Sequence, residues 1–137
     1  MSAAALISNA LSAGGYSTIS PDLRSPSTVL SSSPFFCIYE IKSTDIQENL
    51  DNTANAIIYY TSVIDIICYS VKLSNALTTA EQIALLINGQ TYTYLNNIAY
   101  MMSVTGLSEG YLEDSLPGGL DKIRTVTITV KMFHYST

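Results

Sequence analysis

The hydrophobic pattern of the chain is dominated by residues 56–71, AIIYYTSVIDIICYSV, which contain eight β-branched residues, three tyrosines and a single charge at Asp65. This run predicts a long β-strand. A two-residue period places Ile58, Tyr60, Ile64, Ile66 and Cys68 on one face, and Ile57, Tyr59, Val63, Ile67, Tyr69 and Val71 on the other. Both faces are apolar. One can pack on helices, and the second then needs cover from another layer or another subunit, which makes Tyr59, Ile67 and Tyr69 candidate interface residues. Sixteen residues of strand span roughly 53 Å, whereas a domain of this length is roughly 37 Å across. The strand is therefore expected to bend at a bulge near Asp65 or to project beyond the globule.

The flanking segments supply the other elements. Ser2 to Ala13 carries Ala4, Ala5, Leu6, Ala10 and Leu11 at helical spacing, and Gly14-Gly15 ends it. Residues 16–33 are rich in Ser and Thr with Pro21 and Pro26, which predicts a flexible loop. The run PFFCIYEIK from Pro34 predicts a strand, and the polar Ser43–Asn55 segment is expected to be the tip of a long hairpin leading into the main strand. Thr78-Thr79-Ala80-Glu81 reads as a capping box, followed by an apolar stripe of Ala80, Ile83, Ala84, Leu86 and Ile87 and a stop at Asn88-Gly89. Gln90 to Thr105 is expected to hold at least one strand, Gly106 to Gly119 to be broken with a turn at LPGGLD, and Ile123 to Tyr135 to form a final strand. In that strand Val126, Ile128, Val130 and Met132 share the core face, while Thr125, Thr127, Thr129 and Lys131 share the other. The order predicts one α+β domain over residues 1–137, an antiparallel or mixed sheet packed against two helices.

Composition strengthens the suspicion of assembly. Only 12% of residues are charged and 47% are hydrophobic, and ten tyrosines stand beside three phenylalanines and no tryptophan. Such a surface suits a chain that buries much of it against neighbours. The net charge is −5 and the six basic residues are scattered, so attractive nucleic-acid binding is disfavoured. An acidic wall can still surround DNA without gripping it. The first residues lack a basic stretch and a long apolar run, and no segment reaches membrane-spanning length, so neither a signal peptide nor membrane insertion is expected. The chain is expected in the cytoplasm when made.

Catalytic chemistry is sparse. The single histidine, His134, is expected at the surface or on an edge strand, and it has no His or Cys at zinc-ligand spacing. Cys37 and Cys68 read as small core residues, with a disulfide between adjacent strands as the alternative. Asp45, Glu48 and Asp51 lack the calcium-loop pattern, and the glycines match no phosphate loop. Neither metal nor cofactor is expected. Asp65 is expected to pair with a cation such as Lys72, Lys122, Arg124 or Lys131, in the core or between subunits, so Asp65, Arg124 and Lys131 join Tyr59, Ile67 and Tyr69 as candidate interface residues.

Taken together, SAAALISNAL, PFFCIYEI, IIYYTSVIDIICYS, TTAEQIALLIN and the ending LDKIRTVTITVKMF follow an order that resembles the tail-terminator, or tail-completion, family of minor tail proteins of long-tailed bacteriophages. The turn LPGGLDKIR and the Ser-rich loop depart from the simplest version of that layout. The resemblance implies a non-enzymatic virion protein that forms a hexameric ring at the head-proximal end of the tail. Such a ring stops polymerisation of the tail tube protein, joins a neck or head-completion protein, and lets DNA pass through its lumen. A head–tail connector (stopper or adaptor) and a tail tube subunit are the neighbouring readings. A small cytosolic ligand-binding domain or enzyme is the alternative from another class.

Overall fold

The computed structural model describes residues 3–16, 19–20, 35–47, 58–70, 72–115 and 122–136. Among the described residues two helices, α1 (Ala3–Ala13) and α2 (Leu73–Ile87), accompany six strands: β1 (Ile19–Ser20), β2 (Phe35–Gln47), β3 (Tyr59–Ser70), β4 (Tyr92–Tyr94), β5 (Asn97–Ser115) and β6 (Lys122–Ser136). They form one sheet in the order β1-β2-β3-β6-β5-β4. Every pairing is antiparallel except β1 with β2. The protein is thus α+β, as the element order predicts.

Alternation decides which face is the core. Ile64, Ile66 and Cys68 of β3 face the helices beside Val126, Ile128 and Val130 of β6, and all six are fully buried. Leu6, Ile7 and Leu11 of α1 and Ala76, Ala80, Ile83 and Ile87 of α2 close this layer. Burying side chains of this size stabilises by about 1.5–3 kcal/mol each, which is what holds the helices on the sheet. The expected core face of the final strand is confirmed at all four positions, Val126, Ile128, Val130 and Met132.

Several local expectations need correction. Helix α2 begins at Leu73, with Lys72 at the N-cap and no side-chain cap, so Thr78 lies inside the helix and the capping box does not form. Leu73, Ala76 and Leu77 pack on the same core, and that packing extends the helix past the local polar signal. Leu86, expected within the apolar stripe, is largely outside the core and lies against Gly14, where any β-carbon would collide with it. The stop at Asn88-Gly89 is correct, with Gly89 at φ +76°.

Strand β2 continues through Ser43–Gln47, which the sequence assigns to a hairpin tip, because these residues pair with Tyr59–Val63 while residues 42–46 stay exposed. The rest of that tip lies outside the described residues. The long strand is shorter than expected, running from Tyr59 to Ser70, with Ile58 just before it. Ala56, Ile57 and Val71 lie outside the described residues. The bulge expected near Asp65 in this strand is not found there, since its pairing with β6 runs from Tyr59 to Ser70 without a register shift; the bulge lies on the neighbouring strand, where the β2 register shifts between Ile41 and Ser43. The loop expected over 16–33 contains the two-residue strand β1, and its remainder beyond Tyr16 lies outside the described residues. Strand β5 runs unbroken through Gly106 to Ser115, where the glycines suggest interruption. The register shifts at Gly106, and a β-carbon at Gly110 would lie 2.9 Å from Thr125 Oγ1, so these glycines serve a bulge and a close strand approach. The LPGGLD turn, residues 116–121, lies outside the described residues.

Candidate assembly face

The sheet's second face carries no helix of the described residues and divides into three zones. At one end Ile38, Tyr69 and Ile123 form a small separate core against which Ile67 packs. Tyr69 is only 5% exposed, so its ring belongs to the chain's own packing. Burial, and after it the Glu40 carboxylate, pushes the Tyr69 hydroxyl above its usual range.

The middle zone holds the charge. Asp65 accepts a hydrogen bond from Thr129 Oγ1 at 2.9 Å and lies 3.8 Å from Lys42 Nζ, while Lys42 is 3.1 Å from Glu40. None of the four cations suggested by sequence is the ion-pair partner seen. Lys42 takes that place because it lies at the β2 bulge, on the face it shares with Glu40 and directly beside Asp65. The Glu40 carboxylate, through hydrogen bond and charge, holds the Lys42 ammonium above its usual range. Lys42 and Glu40 are about half exposed, so the pair stabilises little by itself.

The third zone is open. A trough of about 600 Å³ is lined by Asp45, Thr61, Val63, Met101, Ser103, Lys131 and Phe133. Tyr59 stacks on Phe133 at 5.4 Å and 12° and meets Tyr135 edge-on at 5.2 Å, making a row of rings at its end. Tyr100 and Met101, both more than half exposed, extend the apolar surface across β5. Met101 holds φ +46°, a left-handed conformation costly for a side chain of this type, and its amide donates to Thr91 Oγ1 at 3.1 Å.

Of the six interface candidates read from sequence, Tyr59, Asp65, Ile67, Tyr69 and Lys131 therefore share this face. Arg124 falls opposite Ser70, on the helical side. The trough residues contributed by β5, Met101 and Ser103, escaped sequence reading because the bulge between Tyr100 and Ser103 breaks the alternation that would have shown them.

Two sheet edges flank this surface. Among the described residues, no strand pairs with the outer edge of β2 beyond Ile38 or of β5 beyond Ala99. Loop groups bond the latter locally, through Gly89 and Gln90 to Met102, through Thr91 Oγ1 to the Met101 amide and through Asn88 Oδ1 to Val104.

His134 departs from expectation. It lies in the central strand β6, buried, with Nε2 2.8 Å from Ser62 Oγ and its ring stacked on Tyr60 at 5.3 Å. Ser62 Oγ is in turn 2.9 Å from Thr44 Oγ1. The hydroxyl that would act as a nucleophile is fully buried, so no substrate carbonyl can reach it, and the bonds among Thr44, Ser62 and His134 satisfy the buried polar atoms of the latter two. Burial lowers the His134 pKa below the usual histidine value. A base lowered in the folded state contributes stability that is complete above the unfolded value of 6.5 and is lost as pH falls from there through the lower folded value. The expected result is a wild-type unfolding free energy that declines below about pH 6.5 more steeply than that of His134→Gln, measured by urea titration at pH 7.5 and 5.

Among the described residues no group of three or more His, Cys, Asp or Glu is arranged to hold a metal, and no helix is long and apolar enough to cross a membrane. A second cavity, about 210 Å³, lies between the ends of α1 and α2 and strand β4, and its lining contains no charged residue. No protein-family model and no curated protein matches the chain.

Proposed function

We propose that this protein is a structural subunit that assembles with copies of itself into a ring, and that the ring terminates a bacteriophage tail tube and offers its joining surface to the neck. The observation that carries the reading is a sheet face that carries no helix of the described residues and bears an exposed aromatic row, flanked by the edges of β2 and β5, along which β1 and β4 pair only at one end. The edges lie on opposite sides of the sheet. Pairing β2 of one copy with β5 of the next is therefore a head-to-tail contact, and such contacts close into rings when the rotation per subunit divides the circle. Main-chain hydrogen bonds would supply the register, and the trough and its tyrosines the buried area. The finer assignment rests on the resemblance of the sequence to tail-terminator proteins, and the order helix, hairpin, helix and closing strands is compatible with it. The net charge of −5 suits a lumen through which DNA slides.

Electron microscopy of the purified protein tests this. Closed rings with an axial opening are expected, whereas uniformly single subunits or open filaments would count against termination as the role.

A further inference from the structure

Cys37 and Cys68 stand directly opposite each other on β2 and β3, with their sulfurs 3.2 Å apart. Both are free thiols and both are fully buried. Residues facing each other across antiparallel strands have Cα atoms about 4.5–5.5 Å apart, inside the roughly 4.4–6.8 Å range that disulfides span. The two side chains already point at each other, so bond formation needs a small approach of the sulfurs and no movement of the strands.

We propose that Cys37 and Cys68 are a site of reversible oxidation, closing into a cross-strand disulfide that locks β2 to β3 when the protein meets a low-molecular-weight disulfide. One thiol loses its proton and attacks the disulfide RS–SR; the S–S bond breaks and the first RS leaves as RSH. The second cysteine, deprotonated in turn, attacks the mixed disulfide, forms the Cys37–Cys68 bond and releases the second RSH. Two protein thiols are oxidised and one external disulfide is reduced to two thiols. Hydrogen bonding to Cys68, with burial, pushes the Cys37 thiol up, and both residues are fully buried, so the folded pair is expected to react slowly at neutral pH and faster in alkaline solution or before the hairpin closes. The bridge would join positions thirty-one residues apart and so remove unfolded-state freedom that the hydrophobic contact leaves in place. This inference is independent of the ring.

The test is treatment of the whole chain with glutathione disulfide, once folded at mildly alkaline pH and once during refolding from denaturant. Expected in at least one arm are a mass lower by two hydrogens, a 37–68 linked peptide, and no alkylation under denaturing conditions. A Tm higher by on the order of 10 °C, reversed by a dithiol reductant, should accompany them. Cys68→Ser should stop at the mixed disulfide and gain no Tm, and if that variant does not fold the wild-type masses still decide. Free thiols after both treatments, a persistent mixed disulfide in the wild type, or chains linked to one another would overturn the site. A bridge that leaves Tm unchanged would overturn its locking role.

Discussion

Ile66→Ala is expected to destabilise the protein by about 2–5 kcal/mol, while Ile67→Ala, one residue along, is expected to cost about 1 kcal/mol because only part of its surface is buried. Ile66 is fully buried between Tyr39 and Ile128, under the helices. Truncating it leaves a cavity that the packed layer cannot fill, so the transfer and cavity terms add. Ile67 points away, packing on the small cluster of Ile38, Tyr69 and Ile123. Urea denaturation of both variants measures the difference directly. Equal costs would mean that the two faces of β3 are equally enclosed, and the account of an open second face would fail.

The second large effect concerns association. Tyr59→Asp is expected to leave the fold intact and to weaken self-association by at least about 30-fold, the equivalent of a tyrosine anchor worth about 2 kcal/mol. Tyr59 stacks on Phe133 and meets Tyr135 edge-on at the rim of the trough, where a carboxylate would be desolvated on docking. Leu85→Asp is the matching control, since Leu85 is 80% exposed on α2. It should leave both stability and association unchanged. Circular dichroism with sedimentation velocity separates loss of fold from loss of contact.

Legibility followed alternation. In β6 every second residue from Val126 to Met132 is a β-branched or long apolar side chain, and the period alone marked the core face. The same period on β3 separated Ile66 from Ile67, and with them the core from the candidate interface. Reading failed where tertiary context overrode a local signal. Thr78 sits in a cap-like sequence, yet core contacts from Leu73 and Ala76 carry the helix through it. Gly106 and Gly110 resemble breaks, and become a bulge and a close approach once β6 lies alongside. His134 reads as a surface or edge-strand residue until pairing places it in a central strand over Ser62. Lys42 was missed as the partner of Asp65 because the two lie on different strands, and no local pattern shows which residues a bulge will bring together.

The central claim is that the open face and the edges of β2 and β5 hold copies of this chain together. Light scattering coupled to size exclusion measures the mass of the wild-type particle over a range of concentrations. A discrete particle with a mass several times the 14.8 kDa of one chain, reduced to one chain by Tyr59→Asp, is the predicted result. A wild-type protein that stays at the mass of one chain at every concentration would contradict it.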